Sequence, residues 1–401
     1  MSKKVEKWVE ELKTLSSIAK TQPQAAYVAF IVGYRQKFNY IFRTINDISD
    51  LLHPIENVIR FSFIPAICDE RHCNDNERQL LSLPIKLGGL GIINVIDESK
   101  FQYETSKDVT NELTNRIIQQ SDEPVDFANS KKRLQAKKVL RRKEQEKSLN
   151  DLLKNLQPIE RKAVEIAQLE AASSWLTTLP LKEENFVLNK QEFLDAICMR
   201  YAWQMKRLPA KCACQVNLTL DHALSCHLGG FTIQRHNNIR DVTANLLREV
   251  CHDVSLEPTL LDASSESKDL KQASSFKGCD ARADVSANGF WIRYQRAFFD
   301  VKVTNLIAPS YREKSICATF SSMEKQKKRA YNQRIQQVDK GTFTPLIFGA
   351  TGGTGRECSI FLSKLADKLA AKKSCAKSTI IANMRRKLSF ILVRRGGSRT
   401  F

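Results

Sequence analysis

Apolar positions recur at helical spacing from Lys3 to Ile59, through Trp8, Leu12, Leu15 and Ile18 and again through Tyr27, Phe30, Ile31, Tyr34 and Phe38. Gln22-Pro23-Gln24 and His53-Pro54 interrupt this pattern, because proline has no amide proton for a helix ladder. Leu83 to Ile93, LPIKLGGLGII, sets three glycines among apolar residues, which predicts a tight, closely packed loop entering a short buried segment. Asp108 to Glu170 is polar, highly charged and helical in pattern, as an exposed connector would be. Glu192 to Leu208 follows as an amphipathic helix with Phe193, Ile197, Tyr201 and Met205 on one side.

Strand patterns enter only in the second half. Gln234 to Val250 is helical, with Ile239, Val242, Leu246 and Val250 inward. Asp253 to Leu260 reads as a strand that Pro258 shortens or confines to an edge. A polar loop over Leu261 to Gly278 leads to a strand over Arg282 to Ala287, ended by the turn pair Asn288-Gly289. From Ala297 to Thr304 the side chains alternate. Phe299, Val301 and Val303 share one face, and Phe298, Asp300, Lys302 and Thr304 the other. A helix over Thr319 to Val338, a strand over Thr342 to Ala350 and two closing helices complete the chain. The fold class is therefore a mostly α N-terminal region followed by an α/β core in the order α-β-β-β-α-β-α. Thr351 to Gly355 is rich in glycine but lacks the Gly-Lys-Ser/Thr ending of a phosphate loop. It is a strand-to-helix turn.

Charge changes the picture. The 401 residues carry a formal charge of +19, which implies a polyanionic partner, most simply nucleic acid, with anionic membrane as the other option. Ser130 to Lys143 holds eight basic residues and no acid, and Ala371 to Phe401 nine and no acid. A solvated helix face or a loose tail would look the same; the first run also reads as phosphate contacts or a nuclear import signal. No charge-free apolar run is long enough to span a bilayer, and the first residues are no secretory signal. The eleven cysteines are then mostly free thiols in a reducing compartment.

Four ligand-type residues have metal spacing. Cys212, Cys214, His222 and Cys226 form C-x-C, a short loop and H-x3-C, with His227 as a spare. A loop this short cannot bury a core of its own, so a tetrahedral Zn²⁺ would hold it. With all four ligands supplied by the chain, no position is left for water, and the role is structural and nucleic-acid binding. A chance cluster of small buried cysteines and a surface histidine is the plain alternative.

Asp284 and Asp300 lie on successive strands, with Lys302 two residues beyond the second. Two carboxylates can hold Mg²⁺, and a nearby ammonium can orient or deprotonate an attacking water, which is the chemistry of phosphodiester cleavage. An exposed ion pair on an edge strand is the bland reading.

Resemblance sharpens both sites. Tyr34 to Asn94 contains FRTINDISDLLHPIENVIRFSFIPAICD followed by ERQLLSLPIKLGGLGIIN. It resembles the thumb segment that follows the reverse-transcriptase palm in LINE-like (non-LTR) retrotransposon polyproteins. No Asp-Asp pair occurs in the sequence, so the palm's metal signature is missing and no polymerisation by that route is expected. The Cys-His knuckle, the RHN and RD residues from Arg235 to Asp241, and Asp300-Val-Lys302 are similar to the tail of those elements that carry a restriction-like PD-(D/E)XK endonuclease. In that pattern Asp284 matches the first Asp, Ala283 replaces the Pro, and Asp300 and Lys302 complete it.

The resemblance implies that Asp284 and Asp300 ligate Mg²⁺ or Mn²⁺ and that Lys302 is catalytic. A third carboxylate stays open among Asp241, Glu249 and Glu257. Lys327 and Tyr331, four apart on one helix, are implied to contact the scissile phosphate, with His236 and Arg240 as further nucleic-acid contacts. Expected domains are residues 1–107, a helical thumb-like region; 108–208, a charged helical connector; 209–230, the knuckle; and 231–401, the nuclease with a basic C-terminal helix. The expected function is a nuclear DNA endonuclease that nicks target DNA for primed reverse transcription. Its partners would be DNA and the parent element's RNA, with no membrane and no small-molecule substrate. The alternative is a catalytically inactive nucleic-acid-binding remnant.

Overall fold

The computed structural model describes residues 1–121, 127–206, 209–226, 228, 231–261 and 282–397. His227 and most of the polar stretch from Leu261 to Gly278 lie outside the described residues. The described chain is mostly helical, with one small four-stranded mixed sheet. It divides into two compact units, Met1–Gln157 with Leu179–Ile197, and Pro158–Thr178 with Cys198–Phe401. These limits differ from four consecutive segments. Helix α2 (Val95–Gln119) runs straight through residues 107 and 108, because a rise in charge does not break a backbone ladder unless Pro or Gly comes with it. The segment 108–208 is shared between the two units.

In the first unit, α1 (Ser2–Ala19) buries Val5, Trp8, Leu12 and Ala19, and Trp8 meets Phe38 edge-on with ring centroids 5.0 Å apart. The glycine loop is as tightly packed as its composition predicts. Leu90 and Ile92 are fully buried, and Tyr27 donates its hydroxyl to the Leu90 carbonyl at 2.7 Å. A Cβ on Gly89 would lie 2.0 Å from the Leu83 carbonyl oxygen, so only glycine fits there. Arg78 clamps this loop, donating to the carbonyls of Ile92 and Ile93 at 2.8 and 2.9 Å while pairing with buried Glu56 at 2.7 Å. Helix α3 (Phe127–Asn155) buries only Leu149 and Leu152. Some of its basic side chains meet acids of α2, with Arg141 at 3.2 Å from Glu98 and Lys137 against Asp108.

The helix expected over Glu192 to Leu208 spans Lys190–Tyr201 instead. Ala202 takes a left-handed conformation (φ 54) and the Trp203 amide returns to the Cys198 carbonyl at 2.9 Å, which stops the helix before Met205.

The second unit is built on strands β1 (His252–Leu256), β2 (Val285–Asn288), β3 (Arg296–Thr304) and β4 (Thr342–Gly349), adjacent in that order. The first two pairings are antiparallel and β3–β4 is parallel. A parallel pair needs a long crossover, supplied here by α6 (Ile316–Gln337). Before the sheet come α4 (Leu220–Ser225) and α5 (Phe231–Arg248); after it come α7 (Arg356–Lys373) and α8 (Lys377–Gly397). Phe299, Val301, Leu346 and Phe348 face one core, with Ile239 and Leu247 of α5, Phe361 and Leu365 of α7, and Met384 and Leu388 of α8. Phe298 and Phe343 face the other, with Tyr331 and Ile335 of α6. The alternation of β3 thus turns Asp300 and Lys302 toward α6.

Two strands are shorter than their sequence patterns. β1 ends ahead of Pro258, as proline requires. β2 begins at Val285 rather than Arg282 because its ladder with β3 opens at Asp284.

Candidate functional site

Where the ladder opens, Asp284 stands next to the Asp300–Val301 peptide. Val285 pairs with Phe299, and one residue further out the Asp284 amide donates to the Phe299 carbonyl at 3.1 Å. The Asp284 carboxylate then takes over from the backbone, with its Oδ2 accepting the Val301 amide at 2.6 Å. On its other side the Asp284 carbonyl accepts the Glu257 amide at 2.9 Å, and Arg282 still bridges Thr259. β1 and β2 therefore run on together while β3 parts from them, and Asp284 lies in the opening.

Helix α5 borders this opening. Ile239 and Leu247 fix its apolar stripe in the core, while His236 and Arg240, four apart, share another face. His236 Nε2 lies 3.1 Å from Asp284 Oδ2, so His236 touches the first candidate carboxylate. That hydrogen bond raises the His236 pKa above its ordinary value, against the opposing effect of burial. Arg240 pairs with Asp241 at 2.9 Å and with Glu257. These two candidate carboxylates are adjacent to the opening and are held by one guanidinium. Glu249 is not there. It lies thirteen residues beyond His236, about 20 Å along the helix axis, and pairs with Lys373 at 2.5 Å.

Helix α6 closes the other side. Met323, Lys327, Tyr331 and Ile335 recur every four residues, a stripe that faces the sheet. Lys327 Nζ lies 2.7 Å from Asp300 Oδ2 and 5.6 Å from the Tyr331 ring centroid. Burial raises the Asp300 pKa, the Lys327 charge opposes this, and the Asp284 charge adds to it. Lys302 reaches Gln326 Oε1 at 3.3 Å; burial and then the Lys327 charge lower its pKa. Tyr331 is held well above its usual range by burial and by the two aspartates. Asp284, Asp300, Lys302, Lys327, Tyr331 and His236 are thus gathered, with Arg240, Asp241 and Glu257 alongside. Gln326 was missed because nothing in the sequence marks one polar residue of a charged helix.

The Cys-His set is also gathered. Cys212 Sγ lies 3.6 Å from Cys226 Sγ, Cys214 Sγ 3.1 Å from His222 Nε2, and Cys226 Sγ 3.9 Å from Cys214 Sγ. Tetrahedral bonds of ~2.3 Å to sulfur put neighbouring ligands ~3.7 Å apart, so the donor set fits a metal ion such as Zn²⁺. Its ligand atoms all lie within 4.8 Å of one another, and among the described residues no other group of three or more such side chains is close enough to share an ion. Asp284, Asp300 and the neighbouring His236 do not converge closely enough to form such a group.

No protein-family model matches the chain, and no curated protein matches it. No helix among the described residues is long and apolar enough to cross a membrane.

Proposed function

We propose that the second unit is a metal-dependent DNA endonuclease of the restriction-like PD-(D/E)XK kind, in a chain derived from the C-terminal part of a LINE-like polyprotein. One observation carries this reading: Asp284 sits where β2 and β3 separate, its carboxylate on the Val301 amide beside Asp300, with Lys302 two residues further on the same face. The helix, three strands, crossover helix, parallel strand and helix of the second unit support it. Mg²⁺ commonly takes only one or two carboxylates and keeps waters or substrate phosphates for its other positions, so two carboxylates are enough for this reading. When bound, Mg²⁺ or Mn²⁺ would neutralise charge on the scissile phosphate and lower the pKa of a bound water.

The chain's own residues do the rest. Asp284, one residue ahead of β2, and Asp300 on β3 would hold the ion. Lys302, its pKa already lowered by burial, orients the attacking water and stabilises developing charge. Lys327 and Tyr331 meet the phosphate from α6, once Lys327 leaves Asp300. The basic surface supplies sequence-independent affinity for DNA or the element's RNA, so binding falls steeply with salt. Nuclear location follows from the substrate. The test is plasmid nicking with Mg²⁺ or Mn²⁺, lost in Asp300→Ala.

A second reading, a silent nucleic-acid-binding remnant, is favoured by one observation. Both carboxylates already have cationic or potentially cationic partners, His236 and Lys327. Tight DNA binding with no nicking in either metal would support it.

A further inference from the structure

Helix α4 and its C-cap Cys226 present three pairs of residues four apart, each pair offset from the next by one position. Leu220 and Leu224 are buried. His222 and Cys226 carry the second half of the metal set. Asp221 and Ser225 converge on one side chain, Asn305. Its Nδ2 donates to Asp221 Oδ1 at 2.7 Å, to Ser225 Oγ at 2.9 Å and to the Asp221 carbonyl at 3.3 Å. Its Oδ1 accepts the Ile307 amide at 3.2 Å. Asn305 directly follows β3, three residues after Lys302. So the side chains next to two metal ligands are fastened to the end of the strand that carries Asp300 and Lys302.

A helix of six residues cannot hold its own geometry. Thr219 caps it, accepting the His222 amide at 3.2 Å, yet the orientation of α4 still depends on what its faces meet. The metal ion would fix one face, and Asn305 grips the face beside it. We propose that Asn305 is a positioning residue that couples metal loading of the knuckle to the placement of the β3 end, making the Asp300–Lys302 site sensitive to zinc although zinc takes no part in the reaction. The coupling is reciprocal by linkage: a correctly placed β3 end also preorganises His222 and Cys226. This rests on the endonuclease reading only for its catalytic consequence.

The test uses the full chain. The metal-stripped protein is titrated with Co²⁺, read by the absorption of tetrahedral thiolate coordination against a competing chelator. Partners bonded directly to metal ligands are worth about 10–100-fold in affinity. Asn305 holds the residues next to the ligands, so Asn305→Ala weakens Co²⁺ binding by no more than the lower end of that range, about 10-fold. Asn305→Asp, which sets a second carboxylate against Asp221, weakens it further. Hydrogen exchange at the Ile307 amide speeds up on metal removal in the wild type, and is already fast and metal-insensitive in Asn305→Ala. Should that variant fold poorly, Ser225→Ala removes one acceptor from the knuckle side and shifts the same readouts less far. Unchanged Co²⁺ affinity in the Asn305 variants, or metal-independent exchange in the wild type, overturns the coupling.

If the wild type nicks DNA, Asn305→Ala lowers kcat about 10-fold at unchanged KM, and stripping zinc lowers it no further; a full additional loss on stripping contradicts the proposal. A wild type that never nicks defeats the endonuclease reading alone, since the Co²⁺ and exchange measurements still decide the coupling.

Discussion

His236 Nε2 lies 3.1 Å from Asp284 Oδ2, the same oxygen that accepts the Val301 amide at 2.6 Å. One carboxylate oxygen therefore joins α5 to the opening between β2 and β3. The hydrogen bond favours the protonated imidazole and raises its pKa. Stability from this pair is fully present below the ordinary histidine pKa and is lost as pH rises through the higher folded value. In NMR titration of the metal-free chain, His236 should titrate above the usual histidine range, and Asp284→Asn should bring it down. No shift between the two proteins would contradict the bond.

Asp300 is buried, and burial raises its pKa. Its ionised form is thus costly in the metal-free fold despite Lys327. Asp300→Asn should change unfolding free energy by less than about 1 kcal/mol while abolishing nicking, the pattern of a residue kept for function. Lys327→Ala should cost more, about 2 kcal/mol. Losing one partner of a fully buried pair costs ~3–5 kcal/mol, and the partial exposure of Lys327 reduces that. Denaturant titration of both variants measures the difference.

How much of this was legible in the sequence differs from residue to residue. The period-two pattern of Ala297 to Thr304 placed Phe299 and Val301 on one side of the sheet and Asp300 and Lys302 on the other, because strand alternation is a property of the backbone itself. Cysteine and histidine spacing marked the metal set. The His236–Asp284 bond was not visible, since 48 residues separate the partners and only the fold brings them together. The same holds for Asn305, an unremarkable residue after a strand until α4 packs against it. Composition also suggested a boundary at 107, where the backbone simply continues as helix.

Arg78 should be the most sensitive charged residue of the first unit. It fills a buried position, pairs with Glu56 and holds the carbonyls of Ile92 and Ile93. Arg78→Met leaves Glu56 buried without its partner, at a cost of ~3–5 kcal/mol. Proteolysis of the variant should open the glycine loop from Leu83 to Ile93 well before the second unit unfolds.

Metal removal should act on the second unit alone. Elemental analysis of the purified chain should give one zinc per molecule, and chelation should lower the melting temperature of that unit, because binding energy at such a site is folding energy. Cys226→Ala should lose the metal and the chelator effect together. A melting curve indifferent to chelator would show that the thiol cluster holds no ion.

The most direct measurement is conversion of supercoiled plasmid to open circle by the full chain in Mg²⁺ or Mn²⁺, compared with Asp284→Ala and Asp300→Ala. Nicking by the wild type, with loss of at least about 100-fold in each variant, is the predicted result for residues that hold the ion. Metal-dependent nicking that persists in both variants would contradict the assignment.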